Sequence, residues 1–198
     1  MPYIYEVFLP QTIDAAKQAA LSADPADPQK FEKETQFLID FLKEKNLISP
    51  RTQVLDFGCG MGRVSRALAL EGCAVEAVDY SPAMRHFAAW YLQGTSARVI
   101  EQPEATAHVA VAAFVLQHVE YPEREVEAIA SHVKPGGTLA LLNEHKRFVP
   151  SGVDAQGFVI WKDDGISIPA LVAEYFAPAG VFDYYKRTDK PLSLWLRK

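Results

Sequence analysis

The segment from Val54 to Ser65 constrains the fold of this chain more than any other part of its sequence. It reads Val-Leu-Asp-Phe-Gly-Cys-Gly-Met-Gly-Arg-Val-Ser. Its apolar start, which contains Asp56, is typical of a buried strand, and its end is typical of the first turn of a helix. Glycines between the two let the backbone turn sharply and pass close beneath a ligand where a Cβ would collide. These glycines are Gly58, Gly60 and Gly62. The segment therefore predicts a strand, a glycine turn and a helix that together bind a ligand.

A second acid, Asp79, completes the pattern of a nucleoside site. It lies about 20 residues after Gly58, at the end of the next predicted strand, where a carboxylate can accept hydrogen bonds from both ribose hydroxyls. The dinucleotide pattern Gly-x-Gly-x-x-Gly fails, because Arg63 occupies its third glycine position. The negative charge of Asp56 would also repel a pyrophosphate, whereas it would attract a positively charged ligand. The sequence thus favours a cationic nucleoside over a dinucleotide.

Strand and helix patterns alternate along the middle of the chain, which predicts a largely parallel sheet with helices between its strands. The predicted strands are residues 53–57, 74–79, 98–101, 109–116 and 138–142, and the predicted helices are residues 62–71, 82–93 and 122–133. The connection after the third strand is short. In the tail, strands at residues 157–161, 182–186 and 192–196 surround a helix that starts near Ser167 and ends at residues 178–180. The last two of these strands should form a hairpin.

The length of the chain and its composition indicate one globular unit with a packed core. The chain has 198 residues, of which 49% are hydrophobic and 23% are charged, as in an ordinary globular protein. Within this unit, residues 1–50 are expected to form an N-terminal helical leader or cap with helices near residues 11–21 and 28–46. Residues 51–198 would then form the main domain.

Charge and composition argue against several classes of protein. The net charge is −5 and the basic residues are scattered, so binding to nucleic acid is not expected. No segment approaches the ~20 apolar residues of a membrane span, and the N-terminus lacks the pattern of a signal peptide. We therefore expect no contact with a membrane and a cytoplasmic location. Cys59 and Cys73 are too few for a disulfide framework and lack the spacing of a zinc site, so no metal is expected.

The glycine segment and Asp79 resemble the first two motifs of class I S-adenosylmethionine (SAM)-dependent methyltransferases, whose first loop commonly reads Asp-x-Gly-Cys-Gly-x-Gly. The resemblance extends over residues 52–142, and residues 114–119 resemble the small-molecule branch of that family. It implies a three-layer α/β/α sandwich around a Rossmann-like, seven-stranded, mostly parallel sheet. The implied strand order is 3-2-1-4-5-7-6, with strand 7 antiparallel.

The resemblance also implies SAM as cofactor and S-adenosylhomocysteine as product. In the family, the acid at Asp56 helps to hold the cationic amino end of the methionine moiety, the acid at Asp79 binds the ribose, and Tyr80 would pack on the adenine. An acid after the third strand often contacts the adenine amine, and Glu101 and Glu104 are the candidates here. The remaining expected cofactor contacts are Gly58, Cys59, Gly60, Gly62 and Phe114. Cys59 is not expected to act as a nucleophile, because its position is one that the family fills with small residues.

Three residues are candidates for acid–base chemistry at the carboxyl edge of the sheet. His118 follows the fourth strand and could accept a proton from a hydroxyl or amine, or it could be a packing histidine at the start of a helix. Glu144 and His145 follow the fifth strand and could meet His118 across a cleft, or they could lie in a solvated loop. Aromatic residues of the leader and tail could cover this edge as a lid. They are Tyr3, Tyr5, Phe8, Phe148, Phe158 and Trp161.

The function implied is in-line transfer of a methyl group from SAM to an oxygen or nitrogen of a small molecule, by a monomer or homodimer. Such a displacement needs mainly a correct orientation in a dry pocket, so a base is optional. One alternative is a protein or RNA methyltransferase that works with a partner subunit. The other is a SAM-binding module without catalytic activity.

Overall fold

The computed structural model describes residues 5–21, 29–143, 145–156, 159–184 and 187–198. Its strands are β1 (Gln53–Phe57), β2 (Ala74–Val78), β3 (Arg98–Ile100), β4 (Ala107–Ala113), β5 (Val133–Leu142), β6 (Lys146–Val153), β7 (Val159–Ser167), β8 (Phe176–Tyr184) and β9 (Arg187–Arg197). Its helices are α1 (Ile13–Leu21), α2 (Lys30–Glu44), α3 (Arg63–Leu70), α4 (Pro82–Tyr91), α5 (Pro122–His132) and α6 (Ile168–Tyr175), preceded by a 3-10 turn at Tyr5–Phe8. Within these ranges no helix is long and apolar enough to cross a bilayer.

Seven strands form one sheet in the order β3-β2-β1-β4-β5-β9-β8. The pairs among β1 to β5 are parallel, and β9 runs antiparallel to both β5 and β8. This is the predicted order 3-2-1-4-5-7-6, because β6 and β7 pair with each other in a separate sheet and only shift the numbering. The predicted fold class is confirmed. The order reverses between β1 and β4, which opens a crevice at the carboxyl ends of these strands.

Helices cover both faces of the sheet because alternate residues of each central strand are apolar on both sides. Val54 of β1 packs with Leu42 of α2 and Leu68 of α3 on one face. Its neighbour Leu55 packs with Ile129 of α5 on the other face, where α6 also lies. The second helix of the expected leader is therefore part of the core.

The connection from β3 to β4 contains no helix and is pinned by one side chain. Glu76 of β2 accepts hydrogen bonds from the backbone N–H groups of Glu104 and Ala105, each at 3.1 Å, and pairs with Arg98 at 2.5 Å. These bonds fix the loop between β3 and β4 to the Glu76 side chain of β2. They also hold Glu104 beside Arg98, whose guanidinium lies 2.7 Å from the Glu104 carboxylate.

The tail differs from the prediction in two places. Strand β6 was not predicted, because its sequence contains Pro150 and Gly152, at which the pairing with β7 changes register. Helix α6 ends at Tyr175 rather than at residues 178–180. The chain turns there because Phe176 to Tyr184 pair with β9 as an edge strand, where Pro178 can be tolerated without a ladder hydrogen bond from its nitrogen.

The loops that follow β1 and β4 are in close contact at Gly58. Its φ is +71°, and a Cβ at this position would lie 2.3 Å from Cγ2 of Val115. The residue before Val115 is Phe114, which has a φ of +60° although it is not a glycine. Two adjacent loops thus depend on unusual backbone conformations, which are commonly found at functional sites.

We expect Gly58→Ala to lower the free energy of unfolding by about 2 to 5 kcal/mol, since a left-handed backbone costs an L-residue about 1 to 2 kcal/mol and overpacking about 1 to 3 kcal/mol. Gly94→Ala is the matched control, because Gly94 has a φ of +78° but nothing within 4 Å of the added Cβ. Denaturant unfolding measures both variants. If Gly58→Ala loses no more stability than Gly94→Ala, the contact with Val115 does not constrain the turn.

Candidate cofactor and acceptor site

A cavity of about 380 Å³ lies at the carboxyl ends of β1, β2 and β4. Its walls include the ends of these strands, the glycine turn after β1, the start of α3, and parts of α2 and α5. The volume is within the range of small-molecule sites, and the position is the crevice where open α/β sheets bind ligands. Most of the predicted cofactor residues line it. They are Asp56, Gly58, Cys59, Gly60, Asp79, Tyr80 and Phe114.

The carboxylate of Asp79 is held by two backbone groups. The N–H of Gly60 donates to Oδ2 at 2.8 Å, and the N–H of Ser81 donates to Oδ1 at 2.9 Å. The carboxylate therefore has a fixed position in the cavity wall while each oxygen keeps a further lone pair. Burial raises the pKa of Asp79 to about 6, against the lowering effect of the bonds from Ser81 and Gly60.

The remaining residues of the glycine turn have different roles. Gly62 does not line the cavity; it starts α3 with a φ of +91°, and a Cβ there would lie 3.0 Å from the side chain of Leu92. Cys59 lines the cavity and is buried, and this burial raises the pKa of its thiol. A thiol that stays protonated is a poor nucleophile, which agrees with the expectation that Cys59 has no catalytic role.

A buried pair of opposite charges lies at the inner end of the cavity. Asp56 is 2% exposed, and its Oδ2 accepts a hydrogen bond from the Ser65 hydroxyl at 2.5 Å. Burial raises the pKa of Asp56 to about 6, and the hydrogen bond from Ser65 and the nearby charge of Arg63 act in the opposite direction. Arg63 is 6% exposed, lines the same cavity and donates to Oγ1 of Thr35 at 2.8 Å.

Arg63 was missed as a site residue, although the sequence contained a signal for it. The residue was noted only because it replaces the third glycine of the dinucleotide pattern. An arginine in the first turn of a helix that begins beneath a ligand is rarely buried unless it is paired or binds something. That position alone could have marked Arg63 as a candidate.

At the outer end of the cavity, Tyr80 and Glu125 are in contact. The Tyr80 ring is edge-on to Phe57, with centroids 6.0 Å apart, and its hydroxyl interacts with the carboxylate of Glu125. Burial and this interaction both raise the pKa of Tyr80. Both residues line the cavity. Glu125 was not predicted, because it is one of several glutamates on α5 and the sequence does not distinguish them.

The two acids expected near the adenine do not line the cavity. Glu101 is bound by Arg85 at 3.0 Å, and its side chain is 63% exposed. Glu104 is bound by Arg98, and its side chain is 61% exposed. The structure therefore separates Glu104 from the other predicted cofactor residues, because the short loop after β3 directs it to Arg98.

His118 lines the cavity and is held in a defined orientation. Its Nδ1 lies 3.0 Å from the carbonyl oxygen of Phe148, and its Nε2 lies 2.9 Å from Nε2 of Gln117. Because a carbonyl only accepts, Nδ1 carries the hydrogen, and in the neutral ring Nε2 accepts from the Gln117 amide. The ring of Trp161 lies 4.3 Å from the imidazole, centroid to centroid.

Of the other two candidates for acid–base chemistry, the structure describes His145, which is not brought to His118. His145 is exposed and does not line the cavity; its carbonyl accepts a hydrogen bond from the N–H of Ile168 at 3.0 Å. Glu144 lies outside the described residues. The orienting partner of His118 is instead the backbone of Phe148 in β6.

Two of the aromatic residues from the leader and tail lie over the site. Phe8 lines the cavity, and its ring centroid is 6.5 Å from that of His118 and 6.3 Å from that of Trp161. The carbonyl of Phe8 accepts a hydrogen bond from the Ser81 hydroxyl at 2.5 Å, next to Asp79. Tyr3 and Phe158, and the side chain of Tyr5, lie outside the described residues.

Known proteins with similar sequences are methyltransferases and a related synthase. Residues 26–189 match a family described as a methyltransferase domain. Ubiquinone biosynthesis O-methyltransferase from Xanthomonas campestris pv. campestris (strain B100) is 31% identical over 163 residues, which cover 75% of this chain and 62% of that protein. Carboxy-S-adenosyl-L-methionine synthase from Enterobacter sp. (strain 638) is 37% identical over 120 residues, which cover 52% of this chain and 48% of that protein. The chain thus matches about half to two thirds of the length of these relatives.

Solved structures with the same fold include magnesium protoporphyrin IX methyltransferase from Synechocystis PCC 6803 with bound SAM. The two chains superpose with a TM-score of 0.68 at 18% identity, covering 98% of this chain and 94% of the other. At this identity the likeness shows the fold alone. The family match covers most of the chain and includes every residue of the glycine turn. This chain therefore belongs to the methyltransferase-domain family.

Proposed function

We propose that this protein binds SAM and transfers its methyl group to an oxygen or nitrogen of a small molecule. The observation that carries the proposal is the carboxylate of Asp79, fixed by the N–H groups of Gly60 and Ser81 in the wall of the cavity. A carboxylate in this position can accept both hydroxyls of a ribose. The names of the two sequence relatives, an O-methyltransferase and a synthase of a SAM derivative, support the same chemistry.

The inner end of the cavity fits the amino-acid part of SAM. An amino acid carries an ammonium and a carboxylate, and the cavity wall contains both Asp56 and Arg63, whose charge acts on the Asp56 carboxyl. We assign the ammonium to Asp56 and the carboxylate to Arg63. A positive group beside Asp56 would also favour its ionised form, which burial disfavours in the free protein.

When bound, SAM supplies a methyl group on a positively charged sulfur. The residues of this chain orient the acceptor, exclude water and take up a proton. We assign the proton to Nε2 of His118: as the bond from the acceptor oxygen to the methyl carbon forms and the sulfur–carbon bond breaks, the hydroxyl proton moves to this nitrogen. The Phe148 carbonyl, which accepts from Nδ1, would stabilise the resulting imidazolium. Gln117 must release Nε2 when the acceptor binds.

The rings of Phe8 and His118 line the cavity, and the ring of Trp161 packs against both of them. Aromatic walls favour a flat acceptor. The net charge of −5 agrees with a small molecule rather than a nucleic acid as acceptor. We extend the proposal to a cytoplasmic protein that works as a monomer or homodimer, in which residues 51–198 form the main domain and helix α2 of the expected leader packs into its core.

Incubation with methyl-labelled SAM and a metabolite extract tests the proposed function. We expect the label to appear in a small molecule rather than in a peptide or an oligonucleotide, and mass spectrometry would identify the labelled molecule. Label in protein or RNA would favour the reading that the chain works with a partner subunit. Tight binding of SAM without any labelled product would favour a non-catalytic binding module, and either result would contradict the proposal.

With the acceptor from that test, we expect His118→Ala to lower turnover roughly 100-fold, because general-base catalysis contributes that much or more. Affinity for S-adenosylhomocysteine should be unchanged, because His118 contacts the acceptor rather than the cofactor in this proposal. His145→Ala is the control, since this histidine is exposed and outside the cavity, and it should keep full turnover. Unchanged turnover in His118→Ala would leave this histidine with a packing role only.

A further inference from the structure

One carboxylate oxygen in the cofactor cavity has no hydrogen-bond partner. Oε2 of Glu125 is buried, and no donor from the described part of the chain reaches it. A buried acceptor without a partner is costly, and native proteins rarely retain one without a reason. Since Glu125 lines the cavity, the missing donor can come from a ligand.

The position of Glu125 relative to Asp79 indicates which part of a nucleoside it would meet. Tyr80 follows Asp79 directly in the chain, and both Tyr80 and Glu125 line the cavity, where their side chains interact. A base attached to a ribose on Asp79 would lie in the same cavity beside Tyr80, and we infer that its edge meets Glu125.

The acids after β3 do not provide this contact. Glu101 and Glu104 are bound to Arg85 and Arg98 and lie outside the cavity wall. The other carboxylates of the described residues that line the cavity are Asp56, Glu34, Asp79 and Glu120. Among these cavity carboxylates, Glu125 is the one with a buried oxygen that has no partner in the described part of the chain.

We propose that Glu125 recognises the exocyclic amine of the adenine ring, with the unpartnered Oε2 accepting a hydrogen bond from the amine. This inference rests on the proposed binding of SAM. It assigns to helix α5 a recognition role that the sequence had placed in the loop after β3. A 6-oxo purine would present an acceptor to the same carboxylate, so the site should discriminate against it.

The electrostatics of Glu125 agree with this assignment. Burial raises its pKa, while the hydrogen bond from Tyr80 and the charge of Arg124 act to lower it. A donor from the ligand would add to the latter effects and would favour the ionised carboxylate. The charge of Glu123 on the same helix also acts to raise the pKa of Glu125. Because Glu123 is exposed and outside the cavity, its replacement removes a carboxylate without removing a contact with the ligand and provides a control.

Titration calorimetry with two ligands tests the proposal. The ligands are S-adenosylhomocysteine and its 6-oxo analogue, S-inosylhomocysteine, and the proteins are wild type, Glu125→Gln and Glu123→Gln. We expect the wild type to bind the adenine ligand at least about 10-fold more tightly than the analogue, as for one charged hydrogen bond. Glu125→Gln should weaken binding of the adenine ligand by a similar factor and remove or reverse the preference, since an amide can also donate. Glu123→Gln should behave as wild type.

Three results would overturn the proposal, and each has a different meaning. Equal affinity of the wild type for both ligands would show that no residue recognises the adenine amine, regardless of the results for the variants. An unchanged preference in Glu125→Gln would assign the discrimination to another residue. A wild type that binds neither ligand would overturn the proposed function together with this inference. Circular dichroism of each variant confirms that the fold is intact before titration.

Discussion

The two hydrogen bonds from the backbone to Asp79 are the interaction on which the rest of the site depends. Through Asp79, they join Gly60 in the turn after β1 to Ser81, the N-cap residue of α4. Both bonds require the turn to approach the end of β2 closely, which glycine permits. The same turn is fixed from the other side by Val115, which occupies the space beside Gly58. The segments that follow β1, β2 and β4 thus hold the Asp79 carboxylate in a fixed position in the cavity.

The cavity concentrates charge that is costly without a ligand. Asp56 and Asp79 both have pKa values raised to about 6 by burial. Arg63 is buried beside Asp56, and an oxygen of Glu125 has no donor among the described residues. In the proposed binding mode, each of these groups would contact a different part of an adenosylated amino acid: ammonium, ribose, carboxylate and base. A ligand with that set of groups would relieve all four penalties, which is the general reason why perturbed groups mark functional sites.

Sequence reasoning succeeded where the determinants are local and failed where a distant partner decides. The strand, glycine turn and helix around Asp56 follow from adjacent residues, and the order of the main sheet followed from the resemblance to a family. Strand β6 of the β6–β7 hairpin was not predicted, because a segment with Pro150 and mixed polarity resembles a loop until its pairing is known. Glu104 was assigned by its spacing after β3, but Arg98 and Glu76 hold it elsewhere. Glu125 could not be selected, because only the contact with Tyr80 distinguishes it on α5.

The most direct test of the central claim is a calorimetric titration of S-adenosylhomocysteine into the wild type and into Asp79→Ala. The account predicts that the variant binds more weakly by about 1.5 to 3 kcal/mol, the range for hydrogen bonds to a charged group. Glu101→Ala, which removes an exposed carboxylate outside the cavity, should bind as the wild type does. Equal affinity of Asp79→Ala and the wild type would contradict the assignment of the ribose to Asp79, and with it the proposed orientation of the cofactor.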